Sequence, residues 1–183
     1  MSSENAQDEQ KIWQRFLLGD ENAYAFIYNL YFKKLYNYGL RIVANEALVE
    51  DCIQNLFIRL WHNKTNLSLP QSVRAYLFES LRRGIIRELA KQKKISHTTL
   101  SDSYSEEVEF SPELHLINDH LSAERLLFLE AALKKLSKRQ REVIYLKFYS
   151  QLTYEEIASV MGLTVNSVYN LVSKAIDALQ NEF

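Results

Sequence analysis

The sequence predicts an all-α fold: two small helical domains joined by an acidic linker, the C-terminal one containing a helix-turn-helix. Three observations carry this. Only four Gly and two Pro occur in 183 residues, so few positions interrupt a helix. Apolar residues recur at helical spacing through most of the chain, each run opened by a capping residue. Between two such blocks, residues 95–119 are Ser-rich, acidic and without a period, as a tether would be.

A short helix is expected near 9–18. Asp20 is a candidate N-cap for a helix over 19–43, in which Phe26, Ile27, Leu30, Tyr31, Leu35, Tyr38 and Ile42 form an apolar stripe. Asn45 caps a helix over 45–63, with Leu48, Cys52, Leu56 and Leu60 facing inward. A polar connection follows over 64–72, its Pro70 suited to the first turn of the next helix. That helix, over 72–94, grows more basic along its length, and Gly84 in its middle costs it ~1 kcal/mol relative to Ala. These helices make the first domain, 1–94. The linker 95–119 carries scattered Val108, Phe110 and Leu114; helices return from about 120 in the second domain, 120–183, where a capping box at Ser137 and Gln140 opens "SKRQREVIYLKFYS".

The stretch "TYEEIASVMGLTVNSVYNLVSKA" (153–175) is the most informative part. Ile157, Met161, Leu163, Val168 and Leu171 keep helical spacing except across Met161-Gly162-Leu163. A turn belongs there, with Gly162 supplying the positive φ of a helix C-cap. Thr153 and Glu156 make a capping box ahead of it, and small Ala158 allows a close crossing. Two short helices crossing at such a turn are a helix-turn-helix, and Thr164 is positioned to cap the second. Val165, Asn166, Ser167, Tyr169, Asn170 and Lys174 then lie near a major groove, while Val168 and Leu171 pack back. An ordinary helical hairpin is the plainer alternative.

Formal charge is −1 overall, but it is unevenly distributed. Residues 1–94 hold 14 Lys+Arg against 10 Asp+Glu, residues 95–129 hold 1 against 7, and residues 130–183 hold 7 against 6. The near-neutral total hides a basic front and an acidic middle. One Cys, Cys52, excludes a disulfide framework within the chain and favours a cytosolic protein. No apolar run is long enough for a membrane span, and no secretory signal is recognisable. The four histidines, His62, His97, His115 and His120, are scattered and indicate no metal site. No nucleophile–base set, paired carboxylates or Gly-rich phosphate loop is found, so no catalytic residues and no cofactor are expected.

The run "EDCIQNLFIRLW" (50–61) resembles region two of bacterial RNA polymerase sigma factors: an acidic pair, Gln three residues on, Phe three further, and a Leu-Trp finish. "LLGDENAYAFIYNLY" is similar to the opening of that region, and "VRAYLFESLRRGIIRELAKQKK" to the helix that reads the minus-ten promoter element. "ALKKLSKRQREVIYLKFYSQLTYEEIASVMGLTVNSVYNLVSKAIDAL" resembles region four, which reads the minus-thirty-five element. Two regions with a short linker resemble the extracytoplasmic-function group, over roughly residues 12–180.

The resemblance implies core RNA polymerase and promoter DNA as partners, a partner anti-sigma protein, no membrane insertion and a cytoplasmic location. It implies that Asp51, Gln54, Phe57, Ile58 and Trp61 dock the polymerase. The residues agree in part, since Asp51, Gln54, Phe57 and Trp61 lie at spacings of three, three and four, and a stripe mixing carboxylate, amide and aromatics is better interface than core. Burial between the domain's helices is the competing account for Phe57, and accounts for Trp61 equally well. For the minus-ten element, the loop 62–74 holds an unstacked base in the family. Here it offers Asn63, Asn66 and Gln71 but no aromatic, with Arg82, Arg83, Arg87, Lys91, Lys93 and Lys94 beside it for phosphates.

Two departures stand out. Gly84 occupies the place where the family usually has Asn. The recognition helix, usually Arg-rich, has Lys174 alone, so readout by Thr164, Val165, Asn166, Ser167, Tyr169, Asn170 and Lys174 would lean on Asn pairing with adenine. Lys134, Lys135, Lys138, Arg139 and Arg141 precede it as candidate phosphate contacts. In the linker, Asp102, Glu106, Glu107, Glu109 and Glu113 either imitate a nucleic-acid backbone in a basic channel or merely solvate a spacer, the latter being simpler. A helix-turn-helix regulator with a helical sensor domain is the rival function.

Overall fold

The computed structural model describes residues 3–96 and 131–180, and among them every regular element is a helix. The linker carboxylates and Val108, Phe110 and Leu114 lie outside the described residues. The chain divides into two compact units.

The first unit carries α1 (Ser3–Leu17), α2 (Glu21–Ile42, all but its last turn), α3 (Glu46–Asn63) and α4 (Val73–Ser96). α1 is longer than the expected 9–18 helix. Asp20 caps α2: its Oδ1 accepts the amides of Asn22 at 2.9 Å and Ala23 at 3.1 Å. Its Oδ2 takes the Arg15 guanidinium at 2.7 Å, which ties α1 to the start of α2. The Ala23 amide first, then Arg15, hold the Asp20 carboxyl below the usual carboxylate range. Asn45 caps α3 through Leu48 N–H at 3.0 Å. Ser72, not Pro70, sets the start of α4, its Oγ accepting from Ala75 N–H at 3.1 Å. Pro70 lies two residues ahead of that cap, and a 3₁₀ turn over Lys64–Asn66 occupies part of the connection.

The buried stripe of α2 is Ala23, Ile27, Tyr31, Leu35 and Tyr38. Phe26, expected in the core, is 50% exposed: it precedes Ile27 by one residue and so points about 100° away. Trp13, Phe16, Ile53, Phe57, Leu77 and Phe78 are among the other buried side chains of this unit.

Gly39 matters for packing. A Cβ there would stand 2.6 Å from Val49 Cγ1 on α3 and 3.4 Å from Ile85 Cδ1 on α4. Gly39→Ala is therefore expected to cost ~1–3 kcal/mol through overpacking, read as a lower urea midpoint at unchanged m-value. Gly84 is the opposite case. It sits inside α4, and no atom lies within 4 Å of the Cβ it lacks. Gly84→Ala should stabilise the first unit by up to ~1 kcal/mol in the same assay.

Besides Arg41–Ala44, the described part of the second unit starts with a helical stretch over 131–135. Next come α5 (Lys138–Ile144), a π-helical turn (Tyr145–Tyr149), α6 (Tyr154–Met161) and α7 (Val165–Gln180). The capping boxes Ser137/Gln140 and Thr153/Glu156 are both closed reciprocally. The π-turn was not expected. It directs Ser150 N–H to the Tyr145 carbonyl and Leu152 N–H to that of Leu146, both at 3.0 Å, and places Gln151 at φ +55°. Leu133, Leu136 and Ala175 form a core cluster with Ile144, Ala178 and Leu179 packed against it.

Candidate functional site

Three surfaces follow from these elements. The first is the outer face of α3. Asp51, Gln54 and Ile58 are exposed and Trp61 is half-buried, at spacings of three, four and three. Phe57 does not belong to this face. It is 2% exposed, packed edge-on against Tyr24 and Tyr28 at centroid distances of 6.0 and 4.9 Å. The spacing of three from Gln54 fitted Phe57, but the helix turns Ile58 outward in its place. Trp61 is held by Tyr24, 5.1 Å away, and by Lys64, whose Nζ stands 4.0 Å from the ring centre. Beside it lies an open hollow of about 330 Å³ lined by Glu21, Tyr24, Ile58, Trp61 and His62. Cys52 lies on the inner face of this helix, where burial first, then the Glu88 and Asp51 carboxylates, push its thiol upward and away from thiolate chemistry.

The second surface is a cleft of about 260 Å³ between α3 and α4. Leu56, Leu60 and Leu67 give it an apolar component, and Arg59, Asn63, Tyr76, Ser80, Arg83 and Arg87 a polar one. Of the expected loop residues only Asn63 lines it; Asn66 and Gln71 are exposed but do not. The Asn63 Nδ2 donates to the Arg59 carbonyl at 2.9 Å, leaving Oδ1 as its acceptor for a ligand. Arg83 pairs with Glu79, Lys91 pairs with Glu88 at 2.7 Å, and Arg82 is half-buried outside the cleft. The side chains of Lys93 and Lys94 lie outside the described residues. Arg59, Tyr76 and Ser80 are additions to the expected set. Tyr76, Ser80, Arg83 and Arg87 repeat at four, three and four, so this face of α4 was readable as one stripe. Tyr76 supplies the aromatic that the loop lacks.

The third surface is the helix-turn-helix. Gly162 adopts φ +64°, ψ +41°, and the Leu163 amide closes onto the Ala158 carbonyl at 2.9 Å. Thr164 caps α7: its Oγ1 accepts Ser167 N–H at 3.2 Å and bonds Ser167 Oγ at 2.8 Å. These two hydroxyls are engaged in the cap. Val168, Val172 and Ala175 are buried, while Leu171 is only half-buried. Asn166, Tyr169, Asn170 and Lys174 are exposed along one side, with Val165 half-buried at the start. Among the preceding basic residues, Lys134, Lys135 and Arg139 are exposed and Lys138 is half-buried. Arg141 Nη1 instead donates to the Leu136 carbonyl at 3.1 Å. Tyr154 and Lys147, which the sequence did not single out, extend this side: the Tyr154 ring stacks on Tyr169, and Lys147 covers Tyr154.

Among the described residues no group of three or more His, Cys, Asp or Glu could hold a metal ion, and no helix is long and apolar enough to cross a membrane.

Comparison with known proteins agrees with this layout. Residues 27–95 match the family described as sigma-70 region 2, and residues 128–179 match sigma-70 region 4. The ECF RNA polymerase sigma factor SigW of Bacillus subtilis is 25% identical, over 90% of both chains. SigL of Mycobacterium tuberculosis H37Rv is 26% identical, over 84% of this chain and 85% of that one. Among solved structures, CnrH in complex with the cytosolic domain of CnrY superposes with a TM-score of 0.63 at 20% identity, covering 94% of this chain and 95% of that one. The Bartonella quintana sigma factor RpoE, solved with the anti-sigma factor NepR, gives 0.57 at 22%, covering 85% and 92%. At those identities the superpositions speak for the fold.

Proposed function

Because the chain belongs to the extracytoplasmic-function sigma factors, RNA polymerase subunits that direct transcription initiation, we propose that its three surfaces divide the work of that role. The α3 face with Asp51, Gln54, Ile58 and Trp61 docks core polymerase. The α3–α4 cleft holds an unstacked base of the minus-ten element. The exposed side of α7 reads the minus-thirty-five element. The proposed domains are 1–94 and 120–183, with 95–119 as the tether. The observation that carries this reading is the occurrence of both sigma regions, in order, on two separately packed units.

The mechanism is differential binding. A duplex hides its base edges and faces in the stack, so a cleft that accepts a base can hold it only after unstacking. Binding in the cleft therefore favours the open strand. Tyr76 offers a ring face to that base, Asn63 Oδ1 an acceptor, and Arg59, Arg83 and Arg87 donors to base or phosphate. Gly84 leaves open space where the family's Asn would stand, so recognition falls to these neighbours. On α7, Asn166 and Asn170 suit adenine, and Lys174 grips a phosphate. RNA synthesis itself belongs to the polymerase; this chain contributes binding, in the bacterial cytoplasm where the polymerase works. An anti-sigma partner is proposed in the manner of NepR.

Selection of fragments from a random duplex library by reconstituted holoenzyme tests this reading. Two elements at a fixed separation are expected. A palindromic site bound by the chain without polymerase would favour the dimeric regulator instead. On the selected element, Lys174→Ala should weaken binding to all upstream variants alike and shallow the salt dependence by about one phosphate.

A further inference from the structure

The ring stack beneath the recognition helix carries a consequence for specificity. Tyr154 opens α6 and Tyr169 lies in the second turn of α7. Their ring centroids are 3.9 Å apart and their planes 19° from parallel. Lys147 Nζ stands 4.3 Å from the centre of the Tyr154 ring and donates to the Leu152 carbonyl at 3.5 Å. Two groups about 4 Å from one ring centre cannot share a face, so Tyr154 is held between an ammonium and a second aromatic. Tyr169 is nevertheless 49% exposed. One of its faces is committed to Tyr154, and the exposure that remains is available for contact.

An exposed tyrosine ordinarily loses rotamer freedom when a ligand fixes it. Here the stack has ordered the ring in advance, which removes much of that cost. What such a ring offers in a major groove is apolar surface at a fixed place. Thymine is the base that presents an apolar group there, its 5-methyl. The flanking exposed residues, Asn166 and Asn170, are amides suited to adenine, thymine's pairing partner.

We propose that Tyr169 determines specificity by contacting a thymine methyl group in the upstream promoter element, and that Tyr154 and Lys147 are positioning residues that hold its ring for that contact. This rests on the second unit being the reader of the upstream element.

The test uses holoenzyme made with the full chain and a promoter from the library selection. Each thymine of the upstream element is replaced singly by deoxyuridine, which removes only the methyl. Wild-type holoenzyme should lose about fourfold in affinity at one position, the equivalent of one methyl group leaving contact. Tyr169→Ala and Tyr154→Ala should bind thymine and uracil there equally, while Tyr154→Phe, which keeps the ring, should retain the preference. Tyr169 is exposed, so its alanine variant tests the contact even if Tyr154→Ala lowers the melting temperature. The proposal is overturned if wild type shows no methyl-sensitive position, or if Tyr169→Ala keeps the full preference. Retention of that preference by folded Tyr154→Ala overturns the positioning role. A holoenzyme that selects no upstream element overturns the reading of the second unit as well; an element without methyl dependence overturns only the Tyr169 contact.

Discussion

Asp51→Lys combined with Gln54→Ala is expected to lower the affinity for core polymerase by at least ~30-fold, with no change in helical content. The size follows from interface hot spots, where losing a central contact costs ~2 kcal/mol or more, and a reversed charge adds repulsion against whatever cation meets Asp51. Both residues are exposed on α3, and exposed substitutions move stability by only about ±0.5 kcal/mol. Binding and folding should therefore separate cleanly. Ile58 and the hollow beside Trp61 would remain, so residual weak binding is expected rather than none. Equilibrium binding to purified core, read beside circular dichroism, checks this. Unchanged affinity would remove the α3 face from the interface.

Val168→Asp should unfold the second unit and spare the first. Val168 is 0% exposed beneath the recognition helix. A buried carboxylate without a partner costs ~4–5 kcal/mol or more, a large share of what so small a unit has. The first unit keeps its own core around Trp13, Phe16, Ile53 and Phe78. Thermal melting should show one transition lost and one kept, and limited proteolysis should release an intact first unit. Upstream-element discrimination should vanish while core binding through α3 persists. A second unit that melts as in the wild type would mean that Val168 tolerates the charge and that its burial is misassigned.

The helix-turn-helix was readable from the residues because its determinants are local. Thr153 with Glu156 forms a box over one turn, and Gly162 supplies a left-handed backbone that few other residues adopt. Asp20, Asn45 and Ser137 were readable for the same reason. What depended on tertiary geometry was not. Phe57 and Ile58 are adjacent, both apolar, and differ only in which side of α3 they take. That choice is set by Tyr24 and Tyr28 on a neighbouring helix. Phe26 and Ile27 repeat the lesson on α2. Gly39 is identifiable as a packing residue only once Val49 is seen facing it. The π-turn at Tyr145–Tyr149 and the left-handed Gln151 carry no Gly or Pro to announce them. In the cleft, Tyr76, Ser80, Arg83 and Arg87 share one stripe of α4, but Asn63 and Arg59 meet that stripe only through the crossing of α3 and α4. Tyr154 reaches Tyr169 across the turn, a pairing that spacing along one helix does not reveal.

The most direct measurement of the central claim is capture of purified core polymerase by the full chain, followed by run-off transcription from a selected promoter. The account predicts stoichiometric capture and promoter-dependent transcripts that require the chain, both lost with the Asp51 and Gln54 substitutions. A chain that leaves core polymerase uncaptured, yet binds a duplex site on its own as a dimer, would contradict it.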